Sequence, residues 1–254
     1  MTSLEETAQL FKQLHKPGQP LVLTNVYDGI SAQTVAKLPT SKALATASYA
    51  VAQAHNLADD DLDLETNLRA CKIIADVARE FKKPLTVDLQ DGYGDRLEEA
   101  VSQLVKMGVV GINLEDYNNA TGEIYSAETA TTRIKRALAA AADQGVKNFV
   151  VNARCDGLLY GWDLNEVISR GKAYLEAGAT TVFVWGRSRG VARQEVETLV
   201  EAFGGKLNVK FKEDGLSIKQ LAEIGVARIS IGPTLQLKAM ALYGSEADKL
   251  LSQV

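Results

Sequence analysis

The sequence predicts an α/β fold, a single (β/α)8 TIM-type barrel, on three observations. Short apolar, β-branched runs alternate with longer stretches of helical period, eight such pairs can be counted, and nothing in the 254 residues reads as a linker. Strands that are apolar throughout belong to parallel sheets covered on both faces. An open doubly wound sheet is the alternative, but its Gly-rich first turn has no counterpart in "NVYDGIS" at Asn25–Ser31. Barrels of this kind run to about 250 residues, so 1–254 is expected to be one barrel domain, with 1–18 as an N-terminal helix and lead-in.

The elements follow in order. Ser3 and Glu6 fit a capping box for the opening helix, and Pro17-Gly18 stop it. Strand-like runs begin at Leu21, Ala43, Leu85, Val110, Asn148, Thr181, Leu207 and Arg228. Between them, Leu64, Leu68, Cys71, Ala75 and Ala78 share one helix face, as do Leu97, Val101, Leu104 and Val105. Asp163 and Ser217 stand where N-caps are needed, and "EAGA" and "EIGV" are the matching helix ends before a strand.

Bulk properties narrow the function. A formal net charge of −4 and the lack of any Lys/Arg run argue against nucleic acid and against a membrane surface. No apolar stretch approaches the roughly 20 residues that span a bilayer. The N-terminus carries acids where a signal peptide is basic. A soluble, cytoplasmic protein is expected. The two cysteines, Cys71 and Cys155, form neither a ligand pattern nor a disulfide framework.

Barrels of this class work at the C-terminal ends of their strands. Thr46-Ala47-Ser48-Tyr49 end the second strand, Asp88-Leu89-Gln90 the third, Glu115-Asp116 the fourth and Arg154-Cys155-Asp156 the fifth. Asn208 opens the seventh strand, with Lys210 and Lys212 further along. Acids facing a guanidinium suit a hard divalent cation: Mg2+ takes few carboxylates, keeps several waters and lets the substrate complete its shell. Arg154 would recognise a carboxylate or phosphonate bidentately. The small residues Thr46-Ala47-Ser48 would let backbone N–H groups approach an anion. Plainer readings stand beside these. Asp91 and Asp95 suit an exposed helix start, Cys71 suits core packing, His55 suits the surface, and Tyr93 suits a lid over its turn. Cys155 has no histidine neighbour in the sequence.

The chain resembles the isocitrate lyase and phosphoenolpyruvate mutase superfamily, of the phosphonomutase-like kind, over nearly its whole length. The carriers are "NVYDGISA", "ATASYAVAQA" with the following Asp59, "TVDLQDGYG", "GINLED", "NARCDG", "LNV" and "GVARISIGP". The resemblance implies an α/β barrel whose last helix is exchanged between partners, hence a homo-oligomer, dimer or tetramer. It implies a lyase that breaks a C–C bond beside a carboxylate through an enolpyruvate-like intermediate, with Mg2+ (or Mn2+) as cofactor. Its substrate would be a small 2-oxo or 2-hydroxy acid, a carboxylate or phosphonate. Carried over by motif, Asp88 faces the metal, Glu115 reaches it through water, and Arg154 holds the substrate. Thr46, Ala47 and Ser48 form the cradle, with Tyr49, Gly92 and Asn208 as further substrate-binding positions. Two departures stand out. Gln90 occupies a metal position where the family has an acid, which removes a charge and weakens the site. The segment "EDYNNATGEIYSAE", Glu115–Glu128, lacks the lid Cys of the lyases and the lid Lys of the mutases. Tyr117 and Tyr125 are the remaining proton donors there. Two alternatives stay open: a phosphonopyruvate-type mutase or hydrolase acting on a P–C bond, and a catalytically degenerate anion-binding or scaffold barrel.

Overall fold

The computed structural model describes residues 2–254. Its first barrel strand is broken in two. β1 (Leu21–Leu23) and β2 (Asn25–Val26) are separated by Thr24 alone. β2 pairs with β3 (Leu44–Thr46), while β1 pairs with β11 (Arg228–Ser230). The chain turns at Thr24 to meet both neighbours, and the ring closes through that bend. From β3 the ring continues through β4 (Leu85–Asp88), β5 (Gly111–Glu115), β8 (Val150–Cys155), β9 (Thr181–Val184) and β10 (Leu207–Lys210) to β11. Every pairing in it is parallel. The nine strand segments therefore fill eight positions, the expected (β/α)8 barrel. A separate hairpin of β6 (Tyr117–Asn118) and β7 (Glu123–Ile124) rises from the end of β5.

The expected helix caps are present. In α1 (Leu4–Gln13) the Glu6 N–H donates to Ser3 Oγ and the Ser3 N–H to the Glu6 carboxylate. Asp163 and Ser217 cap α7 (Leu164–Glu176) and α9 (Ile218–Ile224) by accepting from the backbone of Glu166 and Gln220. The predicted apolar faces of α4 (Leu64–Glu80) and α5 (Leu97–Met107) are buried against the sheet. Together with α2 (Gly29–Ala36), α6 (Ala127–Asp143) and α8 (Arg193–Phe203), they make the outer ring, while α3 (Ser48–Ala54) starts at the barrel mouth. The last helix, α10 (Thr234–Leu251), behaves differently. Only Gln236 is buried on it, its amide donating to the Ala50 carbonyl, while Leu237, Met240, Leu242, Tyr243, Leu250 and Leu251 are exposed.

The strands are not apolar throughout, as the sequence reading took them to be. Their inward positions carry Thr86, Asn113, Asn152, Thr181, Asn208, Arg228 and Ser230, all buried. Arg228 Nη2 donates to Asn113 Oδ1 at 2.9 Å. β11 and β5 stand opposite each other in the ring, so this bond crosses the lumen. Asn113 Oδ1 also accepts from Asn152 Nδ2, and Asn152 Oδ1 from Thr181 Oγ1. The pattern is the period-two alternation of a strand, with polar groups pairing inside and aliphatic groups facing the helices.

Candidate active site

Above this polar layer, the C-terminal strand ends open onto a cavity of about 460 Å3. The loop after β4 forms one wall. Gln90 and Tyr93 both hold positive φ, +52° and +59°, in a region that non-glycine residues rarely occupy. The loop is fixed from several sides. Gln90 C=O accepts from the Glu115 N–H at 2.8 Å, which ties it to β5. Arg133 on α6 donates to the carbonyls of Asp91 and Gly94. A Cβ on Gly92 would come within 2.5 Å of Leu97 Cδ1 and 3.1 Å of Leu114 Cδ1, so only glycine fits. Strain of this kind collects where a side chain must be aimed.

Asp88 is the residue aimed. Its Oδ2 accepts from the Ser48 N–H at 3.0 Å, and Asn113 Nδ2 stands 3.5 Å from its Oδ1. Its own N–H donates to Thr46 Oγ1 at 2.8 Å. Asn67 on α4 donates to its carbonyl. The carboxylate is held by its rear while its front lines the cavity.

Beside it, Glu115 and Asp156 clasp Arg154. Arg154 Nε and Nη2 donate to the two Asp156 oxygens at 2.7 and 2.8 Å, and Nη1 donates to Glu115 Oε1. Three of the five guanidinium N–H groups are thus engaged, and two remain for an anion. The guanidinium stacks on Trp185, 3.9 Å from the ring centroid. Burial works against the Arg154 charge, but Asp156 and Glu115 outweigh it and hold the group firmly protonated. Burial pushes the Glu115 carboxyl well up, opposed by Arg154 and reinforced by Asp156, Asp88 and Asp59.

Asp59, at the start of the turn Asp59–Asp61, completes the acid side. Burial and then the charge of Asp88 push its carboxyl up to about 6. Gln90 Nε2 donates to the Asp59 carbonyl at 2.8 Å, which leaves Oε1 as the amide's free acceptor. Asp59, Asp88, Glu115 and Asp156 line the cavity around the Arg154 guanidinium, with the exposed Asp60 at the same mouth. This wall is short of positive charge. Among the described residues no three His, Cys, Asp or Glu side chains form a ready metal cage. An all-oxygen set with few preformed ligands nevertheless fits Mg2+, which keeps waters and takes substrate oxygens.

Of the residues singled out by sequence, Asp88, Gln90, Glu115, Arg154, Ala47, Ser48 and Tyr49 line the cavity. Thr46, Gly92 and Asn208 do not. Thr46 lies behind Asp88 and Gly92 inside its loop, while Asn208 hydrogen-bonds Ser230 in the lumen. The Ser48 N–H, expected to cradle a substrate anion, is taken by Asp88. Asp91 is not an exposed helix start. It is buried, accepting from the Tyr93 N–H and the Tyr125 hydroxyl. That bond keeps Tyr125 away from the cavity, whereas Tyr117 lines it and stacks on Tyr160 at 5.9 Å. The Tyr93 hydroxyl accepts from the Asn67 amide at 2.9 Å. Both cysteines are buried, and burial pushes the Cys71 thiol up to about 12 and Cys155 well up, so neither is a nucleophile. His55 is exposed, and its Nδ1 donates to the Val51 carbonyl at 2.9 Å.

The sequence reading passed over Asn25, Asn113, Phe183 and Ser230, which also line the cavity. The signal was available: each sits at an inward, alternate position of its strand.

A parallel α/β barrel with an acid-rich mouth defines the class, one that carries its sites at the C-terminal strand ends. The chain belongs to the phosphoenolpyruvate phosphomutase family, whose profile matches residues 11–251. It is 30% identical over 230 residues to an uncharacterised protein of Mycobacterium tuberculosis, covering 87% of this chain and 81% of that one. A provisionally named phosphonomutase from Burkholderia cenocepacia J2315 superposes with a TM-score of 0.88 at 32% identity, covering 97% of this chain and 99% of its own. Phosphonopyruvate hydrolase of a Variovorax species is 29% identical over 214 residues, 80% of this chain and 66% of that one. A phosphonopyruvate hydrolase crystallised with oxalate and Mg2+ shares the fold, with a TM-score of 0.81 at 23% identity over 95% of this chain and 86% of that one.

Proposed function

We propose that this protein is a Mg2+-dependent lyase acting on a small 2-oxo or 2-hydroxy carboxylate, and that it cleaves a C–C bond through an enolate-like intermediate. The observation that carries the reading is the acid wall of Asp59, Asp88, Glu115 and Asp156 set around Arg154, at the mouth of a barrel of this family. Asp88 would hold the ion directly, Glu115 through water, and Gln90 through Oε1. The ion's contribution, when bound, is Lewis-acid stabilisation of charge that develops on a substrate oxygen.

The chain's own groups supply the rest. The two free N–H groups of Arg154 bind the substrate carboxylate, and Asp156 and Trp185 keep the guanidinium plane fixed while they do so. Oriented donors of this kind act on charge as it appears in the transition state, which is where they accelerate the reaction. Ala47 and Tyr49 shape the wall beside Asp88. Tyr117, on the β6–β7 hairpin and lining the cavity, would return a proton to the carbanion carbon. The apolar, exposed face of α10 supports a homo-oligomer in which this helix is covered by a partner subunit.

A second reading, cleavage of a P–C bond, is favoured by the likeness to phosphonopyruvate hydrolase. A screen of oxaloacetate, dimethylmalate, methylisocitrate and phosphonopyruvate, each with and without Mg2+, tests both. Metal-dependent turnover of a C–C substrate supports the lyase. Turnover of phosphonopyruvate alone replaces it with the second reading, and a blank screen with every substrate removes both.

A further inference from the structure

The acid wall occupies one side of the cavity, and the opposite side has a different character. β10 stands across the ring from β4, so Lys210 at the end of β10 faces the cavity from the side opposite Asp88. Its ammonium has no carboxylate within ion-pair distance among the described residues, whereas its neighbour Lys212 pairs with Asp214 at 3.2 Å. The side chain is half-buried, and desolvation alone pulls its pKa below the usual lysine range. It lies over Gly232: a Cβ there would sit 3.0 Å from Lys210 Cε and 3.9 Å from Nζ. Gly232 is itself pinned, at φ +65°, by donation from its N–H to Asn25 Oδ1 at 2.7 Å.

A second cation guards the same side. Arg187 follows β9, lines the cavity rim and holds φ at +50°. The loop that carries it is closed tightly, since a Cβ on Gly186 would come within 1.8 Å of the Gly190 carbonyl oxygen. Phe183 on β9 lines the same cavity, as does Trp185, which carries the Arg154 guanidinium. A half-buried ammonium with no partner is costly unless something anionic answers it.

We propose that Lys210, with Arg187 at the rim, forms a distal anion subsite that receives a second anionic group of the substrate, a carboxylate or a phosphonate. This rests on the proposed function for the near end of the substrate, where Arg154 and the acid wall act. The subsite itself rests only on the geometry of the opposite wall. The cavity is then polarised, with an end that takes a cation and one carboxylate, and an end that takes an anion directly on Lys210. Monoanionic acids would leave the ammonium unanswered and be disfavoured. A charge-assisted bond of this type is worth about tenfold or more in affinity.

The test compares 2-hydroxy dicarboxylates of four to six carbons with 2-hydroxy monocarboxylates of matched length, by calorimetry with Mg2+ present, using the full-length protein and its Lys210→Met and Lys210→Arg variants. The expected result is a preference of about tenfold or more for one of the dicarboxylates, lost in Lys210→Met and largely kept in Lys210→Arg. Oxalate, too short to need the far wall, serves as the control and should bind both variants within about twofold of the parent. A parallel comparison of oxaloacetate with phosphonopyruvate shows which anion gains more from Lys210. The proposal is overturned if Lys210→Met keeps the preference, if oxalate and dicarboxylate affinities fall together, or if borohydride traps pyruvate covalently on Lys210. If the parent protein ignores oxalate yet shows a Lys210-dependent preference, the acid-wall reading fails and the subsite stands.

Discussion

The two faces of the barrel strands are built on opposite principles. Outward, Val87, Ile112, Leu114, Val151, Val182 and Val209 meet the helices in a continuous aliphatic layer with α4 and α5. Inward, Asn113, Asn152, Thr181 and Arg228 join hands across the lumen, with Arg228 Nε and Nη1 left without partners. The outer layer gains stability from apolar area removed from water, and small errors there are felt as cavities. The lumen gains little net stability from its polar pairs, and each group depends on the others being in place. The difference teaches where function was accommodated: the side that carries chemistry is the side that gives up hydrophobic stabilisation.

Breaking each face in turn should show this. Arg154→Met leaves Glu115 and Asp156 as buried carboxylates without a counter-charge, and should cost about 3–5 kcal/mol in chemical denaturation. Adding Glu115→Gln and Asp156→Asn to it should recover most of that loss, because the unpaired charges go too. A neutral Arg154→Met variant would mean that the clasp seen around the guanidinium has no energetic reality. On the outer face, Leu104→Ala empties a fully buried site on α5 and should cost about 2–5 kcal/mol, with no companion substitution able to restore it by removing charge. Its binding of oxalate should stay intact, which separates a stability defect from a site defect.

The smallest effect is expected at Gln90→Glu. Without metal it places a carboxylate against Asp59, so the melting temperature should drop. With Mg2+ the order should reverse, and metal affinity should rise about tenfold over the parent. Thermal melts with and without Mg2+ would show it. A variant equally destabilised in both conditions would remove Gln90 from the metal's surroundings.

Much of this was legible in the residues. Alternating apolar runs and helical faces gave the eight positions, because burial on both sides of a parallel sheet forces that composition. Asp88, Glu115 and Arg154 could be placed at the mouth because strand ends are where such barrels expose side chains. The break at Thr24 was not legible, since no Gly or Pro marks a bend that ring closure imposes. The polar lumen was misjudged because single Asn and Thr residues inside aliphatic runs do not disturb a composition-based reading; only the alternation shows them. Asp91 looked like a helix start, yet its partners Tyr93 and Tyr125 are set by loop geometry that no local pattern encodes. Lys210 is legible as a polar residue of the seventh strand, but the lack of a carboxylate beside its ammonium among the described residues comes from packing that no local pattern encodes.

The central claim is that the acid wall takes a divalent cation and, with it, an anionic oxygen ligand. Oxalate, which mimics enolpyruvate, can be titrated calorimetrically into the protein with Mg2+, with Mn2+ and with a chelator, alongside an Asp88→Asn variant. The account predicts oxalate binding only when metal is present, and its loss in Asp88→Asn without a matching loss of thermal stability. Oxalate binding that is indifferent to metal, or absent under all three conditions, would contradict it.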